Sequence, residues 1–314
     1  MVGSLLCEVK QLYLESFTLP INHEERMIKQ RMKENGGDHG YIDNIYPCRF
    51  FGPKGLYELN FRNVTIFYGG NGSGKSTLLN LIACCLELNR ISPFNSSELF
   101  DRYAKACKYT VSYDEEGFKH RIPDGSRIIT SDDIFDYMLT VRTNNAEIAE
   151  EIEAGKEAHT KLKYGDTVKF NGLEDYETLR MQVLARTKSL SRRQFIRRTA
   201  GQEVKLNSNG ETALSYFEQK LKFDKLYCLD EPENSMSPKM QLKLKQMLED
   251  FSRYCGCQFI IATHSPFLLA MEGARIYDLD SYPAKIRNWW ELENVRIYWE
   301  FFEEHKALFD SEKP

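Results

Sequence analysis

The stretch Gly69-Gly70-Asn71-Gly72-Ser73-Gly74-Lys75-Ser76-Thr77 decides how the rest of the sequence is interpreted. It fits the phosphate-loop pattern G-x-x-x-x-G-K-[ST] at every required position. An apolar run over 64–68 precedes it and predicts a strand, and a helical pattern from Ser76 to about Leu88 follows it. Glycines let backbone N–H groups turn toward phosphate oxygens, and the positive end of the following helix points at the same anion. Both flanks count against the alternative, a glycine-rich turn with a chance lysine.

Two side chains of this loop have separate predicted roles. Lys75 is placed to reach the β- and γ-phosphates of a nucleotide, and the Ser76 hydroxyl is placed to ligate Mg²⁺. The sequence therefore predicts a nucleotide site, and the remaining motifs must indicate which kind.

The composition is typical of a globular protein and sets broad limits. Of 314 residues, 42% are hydrophobic and 28% are charged, and the net charge of −4 gives no whole-chain reason to expect nucleic acid or an acidic membrane. The apolar runs are too short for a transmembrane segment, and the N-terminus lacks the pattern of a signal peptide. A cytoplasmic protein is expected. The eight cysteines form no C-x-x-C pair, which favours buried reduced thiols over a metal site or a disulfide framework.

Two apolar runs in the second half of the sequence end in polar side chains. The run 226–231 ends in Asp230 and Glu231, which are placed to hold Mg²⁺ through water and to orient or deprotonate an attacking water. The run 259–265 carries His264 at the expected carboxyl end of a parallel strand, where open α/β sheets bind ligands. A lone histidine is more often structural, and an apolar run ending in Asp-Glu is a weak signal by itself.

A third polar segment, Asn207-Ser208-Asn209-Gly210-Glu211, precedes a helical pattern. A Ser-x-Gly turn at the start of a helix is a second device for binding anions. The alternative is a simple Asn-Gly loop in which Ser208 caps the helix.

These four motifs, in this order, resemble the stand-alone soluble ABC-type ATPases of prokaryotes, the branch related to SMC-like ATPases. In this resemblance 69–77 is the Walker A loop, 226–231 is Walker B with catalytic Glu231, and His264 is the switch histidine. The segment 207–211 is similar to the LSGGQ signature, and Asn234-Ser235-Met236-Ser237 stands at the D-loop.

The sequence departs from the family pattern in three places. The signature retains only its serine and its later glycine, and Ser237 replaces the usual acid of the D-loop. Asp132 or Asp133 stands where a glutamine loop is expected. These departures weaken an assignment to transporters and favour the soluble branch.

The resemblance implies an α/β P-loop NTPase fold of ABC-ATPase type, with a mostly parallel core sheet, antiparallel N-terminal strands and an inserted helical subdomain. We predict a core lobe over 1–91 and 212–314 and a subdomain over about 92–211. The resemblance also implies ATP and Mg²⁺ as cofactors and a homodimer that sandwiches two ATP molecules. Each site would combine Lys75, Asp230, Glu231 and His264 of one chain with Ser208 and Gly210 of the other.

Three functions remain open at this point. The first is an ATP-hydrolysing homodimeric switch or motor, and the second is the nucleotide-binding subunit of an ABC transporter. The third is a switch that binds nucleic acid or an effector through the basic stretch 186–198, in DNA maintenance or phage defence. The alternative for that stretch is a solvated helical face.

Two groups of aromatic residues have both a packing and a functional interpretation. Tyr46, Phe50 and Phe51 are candidates to stack on a nucleotide base, although core packing is expected of each. Near the end of the sequence, Val295, Trp299 and Phe302 share one face at helical spacing. Packing of that face on the core is expected rather than an exposed site for a partner.

Overall fold

The computed structural model describes residues 12–34, 46–94, 96–113, 116–166, 176–187, 191 and 209–311. The chain divides into two compact units, Met1–Ile134 with Ala213–Pro314, and Phe135–Thr212. Residues 92–134 lie in the first unit. The extent predicted for the helical subdomain stays a prediction.

A six-stranded sheet forms the centre of the first unit. The described strands are β1 (Leu14–Thr18), β2 (Glu58–Asn60), β3 (Val64–Tyr68), β4 (Lys108–Val111), β5 (Arg127–Thr130), β6 (Leu226–Asp230), β7 (Gln258–Ala262), β8 (Arg275–Asp278) and β9 (Lys285–Arg287). The large sheet has the order β5-β6-β7-β3-β8-β9, with every pairing parallel except β8 with β9. The predicted mostly parallel core sheet is confirmed.

The central strands are apolar along their whole length because both faces of the sheet are covered. Every residue of β3, with the sequence VTIFY, and of β7, with the sequence QFIIA, is buried. Continuous runs of β-branched and aromatic residues are typical of parallel strands covered on both faces. The strand predicted over 64–68 is thus confirmed.

The described helices are α1 (Asn22–Glu34), α2 (Lys75–Cys85), α3 (Glu98–Ala106), α4 (Ser131–Tyr164), α5 (Tyr176–Arg186), α6 (Asn209–Lys220), α7 (Pro238–Tyr254), α8 (Pro266–Leu269), α9 (Glu293–Glu304) and α10 (Lys306–Ser311). The helix after the phosphate loop, α2, packs against β5, β6 and β7. Its buried side chains are apolar apart from Lys75.

A second, antiparallel sheet of β2, β1 and β4 confirms the predicted antiparallel N-terminal strands. Gln258 at the start of β7 ties this sheet to the large one. Its amide is fully buried, accepts bonds from the N–H groups of Tyr13 and Leu14, and donates to the carbonyl of Leu14 at 2.8 Å. A buried polar side chain is stable there because its hydrogen bonds are made within the protein.

Two local patterns of the sequence have different outcomes. The aromatic run 46–51 has the apolar character of a strand, but it forms a series of turns that leads into a 3-10 turn, Gly52–Lys54, where glycine and proline interrupt any ladder. The acidic pattern over 144–163 indicates a helix, and it forms the second part of α4, which continues unbroken from Ser131. That helix contains no proline, and its one glycine, Gly155, does not break it, so the charge pattern does not mark a separate element.

Candidate nucleotide site

The phosphate loop joins β3 to α2 and requires glycine at two positions for steric reasons. A Cβ atom at Gly69 would lie 2.5 Å from the Ser73 Oγ. Gly74, at the start of α2, has a φ of 98°, and a Cβ there would lie 2.3 Å from the Phe50 ring. Real Cβ contacts do not come this close, so a larger residue at either position would displace the loop.

The ammonium of Lys75 lies inside the loop. Its Nζ donates to the carbonyls of Gly69 at 2.6 Å and Gly70 at 3.0 Å, and it lies 3.8 Å from the Glu231 Oε1. The side chain is buried, so its positive charge is held close to the place where phosphate oxygens would be cradled. The structure thus brings Lys75 and Glu231 together, as the sequence motifs predict.

Two residues outside the motif hold the loop from behind, and the sequence analysis missed both. The buried Lys54 donates to the carbonyl of Ser73 at 3.0 Å and to that of Leu279 at 2.5 Å. Asp280, just after β8, accepts the Gly70 N–H at 2.7 Å. Burial lowers the pKa of Lys54, while Asp280 and Asp278 oppose that shift. Neither residue carried a sequence signal, because both reach the loop only through the fold.

The Ser73 hydroxyl tests whether the loop fits a phosphate. It is buried in the loop and has no hydrogen-bond partner among the described residues. A buried hydroxyl without a partner is unfavourable, and phosphate oxygens would satisfy it. The loop therefore fits an anionic ligand.

Ser76 and Asp230 meet although they belong to different elements. The Ser76 Oγ donates to the Asp230 Oδ1 at 3.0 Å. The parallel strands place the end of β6 near the start of α2, with β7 between β6 and β3. A hydroxyl and a carboxylate at this distance supply the hard oxygen ligands that Mg²⁺ prefers, so the pair fits the predicted metal role.

The carboxyl of Asp230 is unusual in its titration. Burial raises its pKa from the ordinary 3.8 to about 6, the Ser76 hydrogen bond lowers it, and Glu231 raises it further. Burial makes the charged form of this carboxyl unfavourable, and a bound cation would stabilise that form. The carboxyl is therefore suited to binding a cation.

Glu231 lies at the centre of the polar side chains. Its backbone has a φ of 47°, a left-handed conformation that is uncommon and strained for a residue with a side chain. The Asn234 amide donates to the Glu231 Oε2 at 3.2 Å, and the His264 Nδ1 lies 3.8 Å from the Oε1. Strain at a residue surrounded by a lysine and a histidine is a mark of a functional site.

A second carboxylate, Glu233, was missed by the sequence analysis. It is 4% exposed, and its Oε1 accepts the Thr263 hydroxyl at 2.5 Å and the N–H groups of His264 and Ser265 at 3.2 Å. Its Oε2 is buried with no partner among the described residues, and burial raises its pKa. Glu233 fixes the backbone that carries His264. A third acid so soon after Asp230 and Glu231 was the signal available in the sequence.

The three aromatic candidates for a base differ in exposure. Phe51 is fully buried, in agreement with a packing role, and Phe50 packs against Gly74 and under the Lys54 ammonium, 5.2 Å from its ring centre. Tyr46 is exposed, stacks edge-on against Phe50, and its hydroxyl hydrogen-bonds to the Thr77 hydroxyl. Tyr46 is therefore the exposed candidate beside the loop.

The remaining predicted site residues lie in the phosphate loop, in α4, in α6 or outside the described residues. Asn71 and Gly72 lie in the turn of the phosphate loop, and a Cβ at Gly72 would contact nothing within 4 Å. Gly210 is buried in the first turn of α6, whereas Ser208 and the stretch 188–198, apart from Ser191, lie outside the described residues. The Asp133 carboxylate is buried and accepts four bonds from Ser92 and Thr130, which hold it within the fold. The place of Asp132 or Asp133 at a glutamine loop stays a prediction.

The described cysteines are free thiols, and those parts of the chain hold no cluster of three or more metal-binding side chains. Across the same parts, no helix has both the length and the apolar character needed to cross a membrane.

Residues 212–270 match the family described as "AAA domain, putative AbiEii toxin, Type IV TA system". This segment contains Asp230, Glu231, Glu233 and His264. A search of curated proteins finds no match.

Three solved structures are similar at low identity. They are the ATP-binding cassette MJ0796 in a dimeric post-hydrolysis state with ADP and Pi, the Pyrococcus furiosus Smc head domain bound to the C-terminal domain of ScpA, and the Thermotoga maritima SMC head domain. Their identities are 15%, 14% and 16%, and their TM-scores are 0.33, 0.37 and 0.33. The alignments cover 74%, 79% and 74% of this chain and 90%, 95% and 92% of those chains.

The matched segment supplies the Asp230 and Glu231 end of the site, and the phosphate loop supplies the Lys75 and Ser76 end. The sheet order joins them in one polar cluster. The chain thus combines a loop of the phosphate-loop pattern with a segment that matches this AAA family.

Proposed function

We propose that this protein binds ATP with Mg²⁺ and hydrolyses it to ADP and phosphate. The observation that supports this most is the contact of Ser76 with Asp230, beside the approach of Lys75 and His264 to Glu231. It assembles a metal-binding pair, a cation for phosphate and a general base within one cluster.

Each side chain then has a distinct role. Lys75 turns from the loop carbonyls to the β- and γ-phosphates, and the Ser73 hydroxyl and loop N–H groups bind phosphate oxygens. Ser76 and Asp230 hold Mg²⁺, which neutralises charge on the triphosphate. Glu231 accepts a proton from the attacking water, and His264 supports the γ-phosphate. Tyr46 stacks on the base.

The test is hydrolysis by Glu231→Gln, with Glu218→Gln on the exposed side of α6 as the matched control. The glutamine variant should bind ATP normally and hydrolyse it at least roughly 100-fold more slowly, because a general base is lost. The control should match the natural sequence. Normal hydrolysis by Glu231→Gln would contradict the proposal.

We further propose that two copies sandwich two ATP molecules, with Ser208 and Gly210 of one copy contacting the nucleotide of the other. The support is the resemblance of 207–211 to the ABC signature. Glu231→Gln should form a dimer with ATP, measured by analytical ultracentrifugation. Adding Ser208→Arg should prevent the dimer and leave ATP binding intact. A variant that stays monomeric with saturating ATP would overturn the dimer and leave the hydrolysis proposal standing.

A second candidate function is a switch that acts on nucleic acid or an effector in defence against phage. The family description, which names a toxin of a type IV toxin–antitoxin system, and the basic stretch 186–198 favour it. Nucleic acid should then stimulate hydrolysis and bind with a strong dependence on salt. A transporter subunit would instead copurify with a membrane protein from native cells.

A further inference from the structure

The end of the chain exposes an unusual number of large apolar side chains. We define the C-terminal aromatic surface as the exposed apolar side chains of the 3-10 turn Trp289–Glu291, of α9 and of α10. Its members are Trp289, Trp290, Ile297, Tyr298, Trp299, Phe301, Phe302, Leu308 and Phe309.

This surface corrects the packing expected from the sequence. Val295 is 7% exposed, as predicted, but Trp299 and Phe302 are each 53% exposed. The start of α9 is anchored by buried Leu292 and by the Asn294 N–H, which donates to the Tyr68 hydroxyl at 3.1 Å. From 296 to 310 every residue is exposed. The apolar face therefore leaves the core after the first turn of the helix.

The apolar side chains occupy one side of α9. At 100° per residue, 297, 298, 299, 301 and 302 fall on one broad face, and the charged residues 293, 296, 300, 303 and 304 fall on the other. The apolar rings contact one another rather than the core, as in the Phe302–Phe309 pair with ring centres 6.0 Å apart. A contiguous exposed apolar face with a charged border is typical of a protein-binding surface.

The charge of this segment selects the kind of partner. Residues 289–311 contain six acidic and two basic residues, whereas the whole chain has 46 and 42, so this segment holds the entire net charge of −4. Both basic residues are already paired within the segment, Arg296 with Glu300 at 3.5 Å and Lys306 with Glu303 at 3.3 Å. Glu293, Glu304 and Asp310 have no cationic partner in the described parts of the chain.

The acidic residues beside the apolar face argue against three other partners for this surface. A second copy would bring acidic rim against acidic rim, and like charges across an interface are unfavourable. Helices that lie on membranes are rich in Lys and Arg, which attract anionic lipids, and this one has the opposite charge. Nucleic acid would be repelled for the same reason.

We infer that the C-terminal aromatic surface docks a separate protein, through a segment that presents apolar side chains bordered by Lys or Arg. The apolar face of α9 lies against that segment, and Glu293, Glu304 and Asp310 pair with its basic residues. Aromatic rings supply contact area at the centre, and the charges set the choice of partner. This inference does not depend on the proposed hydrolysis of ATP.

The three tryptophans of the chain, 289, 290 and 299, all lie in this surface, so tryptophan fluorescence, excited selectively over that of tyrosine, reports on it alone. The full-length chain is titrated with a synthetic amphipathic Leu/Lys peptide and with its Leu/Glu counterpart. The Leu/Lys peptide should shift tryptophan emission to the blue and bind at least about 10-fold more tightly, with the difference reduced by salt.

A double variant, Ile297→Ser with Phe302→Ser, keeps all three tryptophans and should lose about 10-fold or more of this affinity. Leu242→Ser, at an exposed leucine of α7, is the matched control and should bind normally. Equal binding of the two peptides would overturn the inference.

Three other results would overturn it as well. Tryptophans already shielded from acrylamide in the monomeric chain would mean that the chain covers its own surface. A mass that doubles with concentration and is restored to that of a monomer by the double variant would mean that a second copy binds there. Binding to anionic lipid vesicles in preference to the Leu/Lys peptide would mean a membrane.

Discussion

The candidate nucleotide site and the C-terminal aromatic surface both depart from the usual distribution of side chains. The site buries polar groups, and the surface exposes apolar ones. At the site, charged and polar side chains such as Lys75 and Glu233 are buried, and hydrogen bonds within the protein hold most of their polar atoms. At the surface, tryptophan and phenylalanine are exposed, with no core to cover them. Each departure is unfavourable by itself, and a ligand or a partner would relieve it.

The two regions also differ in how their side chains are held. Polar groups at the site hold one another at fixed distances, which suits chemistry on a phosphate. The exposed rings pack mainly on their neighbours in the same segment, as in the Trp289–Trp290 and Phe302–Phe309 pairs, which suits a partner that completes the packing. Substitutions in either region test this difference.

Replacing Lys75 with methionine should lower the rate of ATP hydrolysis by roughly 1,000-fold, because a buried cation at the phosphates is lost. The double variant Trp299→Ala with Phe302→Ala should hydrolyse ATP within about twofold of the natural rate, because exposed residues remote from the chemistry are changed. Steady-state release of phosphate measures both. A large loss in the aromatic variant would mean that the two regions do not act independently.

Glu233→Ala should lower the free energy of unfolding by about 2–4 kcal/mol, because the Thr263 hydroxyl and the His264 N–H lose their acceptor and the Ser265 N–H loses one of its two acceptors. Hydrolysis should fall by more than ATP binding, since Glu233 positions His264. Glu233→Gln retains an acceptor and should recover part of both losses. Urea unfolding and ATP titration provide the two measurements. Unchanged stability in Glu233→Ala would contradict the positioning role.

Asp230→Asn should stabilise the metal-free protein in EDTA at pH 7 by about 2 kcal/mol, a rise in melting temperature of about 2–5 °C. The folded-state pKa of Asp230 is raised to about 6 from 3.8, so the ionised carboxylate destabilises the fold above pH 6. As pH falls from 6 toward 4 the carboxyl is protonated in the folded state, and the advantage of asparagine should shrink. Glu218→Gln, on the exposed side of α6, is the matched control and should show no such difference. An unchanged difference at pH 4 would contradict the titration argument.

Ile297→Ala, on the exposed part of α9, should change the free energy of unfolding by less than about 0.5 kcal/mol. Leu292→Ala, just before the same helix and 1% exposed, should cost about 2–4 kcal/mol. Urea unfolding of both variants compares the two losses and locates the boundary between the buried and the exposed parts of this segment. A similar cost for both would mean that Ile297 is covered in solution.

The sequence predicted the nucleotide site from short-range patterns. Spacing within 69–77 identifies the glycines, Lys75 and Ser76, because a phosphate loop is built from consecutive backbone groups. Apolar runs that end in Asp230 and His264 identify the ends of two strands, because parallel strands covered on both faces are apolar throughout. These features depend on neighbours along the chain, so one sequence suffices to predict them.

Lys54, Asp280 and Glu233 were not predicted as parts of the site. Asp280 meets the phosphate loop because β8 pairs with β3 and places the segment after β8 against Gly70. Lys54 reaches the same loop from a 3-10 turn that is distant from it in sequence and donates to Ser73 and Leu279. Glu233 acquires its role from the N–H groups after β7, a different strand from its own. Contacts between distant segments have no periodic signal in a single sequence.

The phosphate loop, the acidic strand end and the class of fold are encoded locally, in residue spacing and apolar runs. The packing of distant segments is what brings Ser76 to Asp230, holds Glu231 in a strained conformation between Lys75 and His264, and leaves Trp299 and Phe302 uncovered. Helical spacing predicts which residues share a face, but whether that face meets a core depends on where the helix lies. In α9 the core ends at Val295, and the same apolar pattern becomes a surface.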